Sequence, residues 1–167
     1  MNSLSHLNAD GNPAMVDVGA KTVTRRTARA QSVVALGSDI MQHLTPSGWT
    51  PSGVGSADIA TKKGPVFQTA IIAGTMAAKR TDDLIPLCHS LGLDSCQITI
   101  TTEGTDAIID CLVSTEGKTG VEMEALVGAS VAALTIYDMC KALSHDIIIR
   151  ETKLMEKTGG KRDFRRA

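Results

Sequence analysis

The sequence predicts an α+β fold, an antiparallel sheet with its helices on one face. Three observations predict it. DSCQITITTE (94–103) and AIIDCLVST (107–115) are strand-like stretches joined by the turn EGTD, and together they read as a hairpin. Two long apolar segments of helical length, 65–84 and 124–143, flank that hairpin. Strand-like segments also stand before the first of these helices and after the second. The order β, α, β, β, α, β is that of the ferredoxin-like (βαββαβ) sandwich.

Each element follows from its residues. Residues 1–20 are polar, with turn residues at Asp10, Gly11, Asn12 and Pro13, and read as an extended arm. TVTRRTARAQSVVAL (22–36) is rich in β-branched residues and reads as the first strand. SDIMQHL (38–44) is a short helix with Ser38 as its N-cap. Residues 45–64 are dense in Gly, Ser and Pro and read as a surface loop. Pro65 suits the first position of the next helix, expected to run to Arg80 although Gly74 weakens it. IPLCHSLGL (85–93) connects to the hairpin, and EGKTGVEME (116–124) connects the hairpin to the second helix. IIIRETKLME (147–156) is the last strand, and residues 158–167 form a basic tail. The second helix is apolar around most of its circumference, so it is expected to bury its outer face against another subunit.

Composition narrows the function class. The 167 residues carry 43% hydrophobic and 21% charged side chains, ordinary for one soluble domain. A net charge of −1 gives no overall attraction to nucleic acid or acidic membrane, and the four aromatics offer few stacking platforms. No uninterrupted apolar run is long enough to span a bilayer, and residues 1–16 lack the pattern of a secretory signal. Four cysteines without C-x-x-C spacing read as free thiols of a reducing compartment, which places the chain in the cytoplasm.

The charged residues point to chemistry. Asp138 and Lys141 are neighbours on one face of a helix that otherwise reads as buried. An internal ion pair is the plain explanation. Burying two charges is costly, however, and chains that keep them in apolar settings often use them to move protons. Glu122 and Glu124 open the same helix, where carboxylates suit the dipole or meet the N–H donors of a heterocycle. Lys118 in GKTG lacks the first glycine of a Walker loop. His89 follows an apolar stretch. Lys63, Lys79, Arg80, His89, Lys118, Lys141 and Lys157 all fall at element ends or connectors, from which side chains converge on pockets. Cations around a few carboxylates fit a ligand with a triphosphate and a polar base. No His/Cys/Asp cluster has metal-ligand spacing.

AGTMAAKRTDDLIPLCHSL (73–91) and GKTGVEMEALVGASVAALTIYDMCKAL (117–143) closely resemble the MoaC family of molybdenum cofactor biosynthesis. SHLNADGNPAMVDVGAK (5–21) and KTGGK (157–161) extend the likeness, which covers most of the chain outside 45–60. The resemblance implies a ferredoxin-like fold assembled as a homohexamer, a trimer of dimers, with active sites between subunits. It implies rearrangement of 3′,8-cyclo-7,8-dihydroguanosine 5′-triphosphate to a cyclic pyranopterin monophosphate with release of pyrophosphate. By motif position it makes Asp138, Lys141 and Lys63 catalytic. Lys63 is preferred to Lys62 because it directly precedes Gly64. Leu87, Cys88, His89, Glu122, Met123 and Glu124 become substrate contacts, and Arg26, Lys79, Lys118 and Lys157 phosphate contacts. No cofactor is implied, and Mg²⁺ accompanying the triphosphate is compatible. Ser90 departs from the family's Pro after the motif His. From the residues alone two other classes stay open: a nucleic-acid binder using the basic islands 21–29 and 157–166, and an oligomer in which Asp138 and Lys141 set subunit register.

Overall fold

The computed structural model describes residue 8, residues 10–46 and residues 57–167. Four long strands make the main sheet: β1 (Thr24–Ala35), β5 (Ser95–Glu103), β6 (Asp106–Gly117) and β7 (Ile148–Thr158). They lie in the order β5-β6-β1-β7, every pair antiparallel, the ferredoxin-like arrangement expected. The helices α2 (Val66–Ala78) and α4 (Glu122–Cys140) pack on one face. Along β1 the alternate residues Ala28, Ala30, Ser32 and Val34 are buried beneath them, as a period of two requires.

Several boundaries and one loop differ from expectation. Helix α1 (Ser38–Met41) is capped by Gly37 at φ 77°, not by Ser38, whose side chain makes no cap hydrogen bond. A left-handed residue is cheapest as glycine, so the backbone turn decides the cap. Residues expected as a surface loop carry a second small sheet: β2 (Leu44–Pro46), β3 (Ala57–Thr61) and β4 (Gly64–Pro65), in that order. The remainder of that loop, 47–56, lies outside the described residues. Asp58 and Ile59 are buried in β3. Helix α2 ends at Ala78, before the expected Arg80; a separate four-residue α3 (Thr81–Leu84) follows ahead of the 85–93 connector, and α4 stops at Cys140 rather than near 143. The basic tail is partly ordered: β8 (Phe164–Arg165) pairs with β7, and the Arg166 guanidinium stacks 5.6 Å over Phe164.

Asp58 explains the start of α2. Pro65 is the N-cap and has no side chain to offer. The Asp58 carboxylate takes the role from β3, accepting from Phe67 N at 2.8 Å and Gln68 N at 3.1 Å, as well as from Ile59 N at 2.6 Å. Orphan donors at a helix start need acceptors, and here a neighbouring strand supplies them.

Helices α2 and α4 run antiparallel and very close. A Cβ on Gly74 would lie 2.6 Å from the Gly128 carbonyl oxygen, and one on Gly128 would lie 2.7 Å from Cys111 Sγ. Gly74 therefore trades helix propensity for close packing. By length and composition α4 is the one described helix that could cross a membrane, but 56% of it is buried inside the fold, as in a core helix. It is not buried all round: Leu134 of α4, with Ile72 and Met76 of α2, stays half or more exposed. All four cysteines are free thiols, Cys111 and Cys140 buried.

Asp58→Ala should destabilise the fold by about 2 kcal/mol through loss of the α2 cap. A urea midpoint lowered with unchanged m-value checks it, and an unchanged midpoint would remove Asp58 from this role.

Candidate active site

Helix α4 is the spine of the site, with a charge cluster at each end. At its C-terminal end Asp138 is held by two lysines. Lys141 Nζ, one turn on, reaches Asp138 Oδ1 at 2.7 Å. Lys63 Nζ reaches Oδ2 at 2.9 Å and also donates to the Asp138 carbonyl at 3.2 Å. Antiparallel packing makes this contact: Lys63 sits just before α2, so it arrives beside the end of α4. These three side chains are not buried in a single chain. Asp138 is 54% exposed, Lys141 50% and Lys63 53%, which corrects the expectation of a charge pair inside an apolar helix. The apolar run turns its final exposed face, not its core face, toward position 138. Hydrogen bonds from Lys141 first and Lys63 second hold the Asp138 carboxyl down at about 2, and the pairing raises Lys141.

At the N-terminal end lies a cleft of about 560 Å³. Its charged lining is Lys21, Arg26, Lys118, Lys157, Lys161 and Glu122. Lys157 Nζ bonds Glu122 Oε1 at 2.8 Å, and Arg26 Nε donates to the Gly117 carbonyl at 3.3 Å. Five cations face one carboxylate, so the cleft is built for an anion. Gly159 shapes the rim. It has φ +82°, and a Cβ there would lie 1.9 Å from the Arg25 carbonyl oxygen, so the end of β7 can approach β1 only as glycine.

Beside this cleft Glu124 is 4% exposed, and its Oε2 has no hydrogen-bond partner among the described residues. Burial chiefly pushes its carboxyl up, the charges of Glu122 and Asp82 adding to the effect against a hydrogen bond from its own backbone. The Cys88 thiol is raised by burial and then by the charges of Glu124 and Asp82, which places the 87–89 segment at this end. His89 Nε2 lies 2.7 Å from the Val16 carbonyl oxygen. Leu87 and Met123 are half-buried in the same region. Ser90, the departure from the family motif, donates to the Asp82 carboxylate and so tethers the His89 loop to α3.

The structure thus brings Arg26, Lys118, Lys157 and Glu122 into one cleft, puts Cys88 within electrostatic reach of Glu124, and joins Lys63, Asp138 and Lys141 in a second cluster. It does not bring the two clusters together. Asp138 follows Glu122 by more than four turns, about 24 Å along the axis. Lys79, expected among the phosphate contacts, is the exposed C-cap of α2 and does not line the cleft. Sequence reasoning missed Lys21 and Lys161. Their signal was present, since each sits inside a motif that carried the family resemblance, 5–21 and 157–161.

Comparison with known proteins decides the family. The MoaC family model matches residues 15–160. The chain belongs to the MoaC family. It is 50% identical to Molybdenum cofactor biosynthesis protein 1 of Dictyostelium discoideum over 96% of its own length, and to the Molybdenum cofactor biosynthesis bifunctional protein of Synechocystis over 95%. It spans only 27% and 44% of those two relatives. It is also 50% identical to Cyclic pyranopterin monophosphate synthase of Xanthomonas axonopodis, covering 96% of this chain and 92% of that one. The MoaC match includes every residue of both charge clusters except Lys161, which lies one position beyond it.

The depressed Asp138 carboxyl has a direct test. In an NMR titration its midpoint should fall at about 2, and Lys141→Met should move it upward toward the ordinary carboxylate range. Because the folded value lies below the unfolded one of about 3.9, the pairing stabilises above that value and is lost as pH falls toward 2. An ordinary midpoint in the wild type would mean that the two lysines do not hold it.

Proposed function

We propose that this MoaC-family chain is a lyase, a cyclic pyranopterin monophosphate synthase. It converts 3′,8-cyclo-7,8-dihydroguanosine 5′-triphosphate to cyclic pyranopterin monophosphate and releases pyrophosphate. The observation that carries this reading is the Lys63–Asp138–Lys141 cluster, a carboxylate clamped between two ammonium groups in reach of solvent and ligand. Opening a purine ring, building a pterin and closing a cyclic phosphate are successive proton transfers, work for positioned acids and bases. Asp138 keeps the two lysines charged and oriented; Lys141 and Lys63 exchange protons with the substrate. Arg26, Lys118 and Lys157, with Lys21 and Lys161, grip the triphosphate and stabilise the departing pyrophosphate. Glu122, Glu124, Met123, Leu87, Cys88 and His89 contact the heterocycle. Glu124, whose burial favours the neutral acid, serves there as a hydrogen-bond donor.

The distance between the clusters favours a site assembled from two chains. A cleft from one copy and a Lys63–Asp138–Lys141 cluster from another would meet at a dimer interface, and the exposed Ile72, Met76 and Leu134 offer that interface apolar surface. The full assembly on this reading is a homohexamer, a trimer of dimers, in the cytoplasm, acting on a small molecule and on neither nucleic acid nor membrane. Mg²⁺ arrives with the triphosphate. Among the described residues no group of three or more His, Cys, Asp or Glu could hold it, so phosphate oxygens and water supply most of its ligands, Glu122 being the nearest carboxylate of the cleft.

Lys141→Ala should lower turnover by about 10³-fold or more while the oligomer stays folded, read as pyrophosphate and pterin formed from the cyclo-dihydroguanosine triphosphate. Near-normal product formation would refute the assignment. Mixing inactive Lys141→Ala with inactive Lys157→Ala subunits should restore a fraction of activity if each site draws on two chains. A mixture as inactive as its parents would place the whole site within one chain.

A further inference from the structure

Two side chains of the candidate site are bound by one short stretch of the N-terminal arm. His89 Nε2 meets the Val16 carbonyl oxygen at 2.7 Å, and Lys118 Nζ donates to the Gly19 carbonyl at 2.7 Å. The next residues, Ala20, Lys21 and Thr22, line the cation cleft. The stretch is shaped by its own hydrogen bonds: Asp17 Oδ1 accepts from Gly19 N at 2.7 Å, and Lys21 N donates to the Val18 carbonyl at 3.1 Å. No described arm residue belongs to the hydrophobic core. The arm is therefore held in place by the site, and the site by the arm.

The His89 contact has a chemical consequence. A carbonyl oxygen only accepts, so the nitrogen facing it must carry hydrogen whether the imidazole is neutral or charged. Neutral His89 is then the Nε2–H tautomer, and the proton that comes and goes sits on Nδ1. That atom has no hydrogen-bond partner among the described residues. By contrast, Lys118 spends one of three donors on the arm and keeps two for an anion.

We propose that arm residues 16–22 are a built-in wall of the substrate cleft, and that the Val16 main chain is the positioning group that makes Nδ1 of His89 the atom accepting and returning a proton. The use of that atom in turnover rests on the reaction proposed above; the tautomer itself does not.

The test is ¹⁵N NMR of histidine-labelled protein without substrate, the His89 signals identified by their loss in His89→Gln. Above the ring's titration, Nε2 should appear protonated and Nδ1 unprotonated. An Nδ1–H ring, or an even mixture of tautomers, overturns the proposal. In a variant lacking residues 1–18 the tautomers should average. Its kcat should fall at least about tenfold with KM changed about twofold at most, because Gly19 and Lys21 remain. An unchanged tautomer and kcat in that variant would also overturn it. Should the shortened chain not fold, the full chain decides the matter through the hydrogen bond itself: a scalar coupling from the His89 Nε2–H to a ¹³C-labelled Val16 carbonyl is expected, and its absence would overturn the proposal. Full activity of His89→Gln beside the expected tautomer would sink the role of Nδ1 in turnover while leaving the arm's control of the ring intact.

Discussion

The near-contact of α2 and α4 at Gly74 and Gly128 governs both ends of the site. With no side chain between them the helix backbones approach until any added Cβ would strike a carbonyl or a thiol. Because they run antiparallel, whatever precedes α2 is delivered to the end of α4, and whatever follows α2 is delivered to its start. Lys63 consequently meets Asp138, and Cys88 comes within electrostatic reach of Glu124. A wider helix pair would separate each charge from its partner without altering a single functional residue. Packing of small residues thus sets the geometry of the candidate site as well as stabilising the fold.

Electrostatics then divides the labour. The Asp138 cluster is half exposed, so its ion pairs are screened and contribute little to stability. Their use is geometric: two ammonium groups held at fixed distance from one carboxylate. Glu124 is the opposite case, a carboxyl deep enough that burial favours the proton. On the Glu124 side, the cleft gathers five cations around Glu122. One chain therefore holds a buried carboxyl and an anion cleft at the start of α4 and a cluster of paired charges at its end. Their separation is the observation on which the proposed two-chain site rests.

The cleft's rim depends on elements that lie far apart in sequence. Gly159 bends the end of β7 against β1, and the Thr24 hydroxyl donates to its carbonyl at 2.8 Å. The arm closes the other side through Val16 and Gly19. Strand β7 carries Lys157 into the same opening, where it meets Glu122 from α4. No local stretch of chain could build this pocket by itself.

The sequence by itself determined the strand and helix order, because periodicity and length are local properties that each segment of 22–36, 94–115 and 124–143 displays openly. It also named most of the candidate site residues, many of them within the ungapped motifs 73–91 and 117–143. It misread the setting of Asp138, because apolar composition counts residues around a helix and does not say which face meets the sheet. It missed the cap from Asp58, the small sheet β2-β3-β4 and the strand β8, because each depends on a partner distant in the chain. Which cations share a cleft, which carboxylate is buried, and which carbonyl holds His89 were decided only by tertiary structure. Those are relations between surfaces brought together by packing, and no single segment contains them.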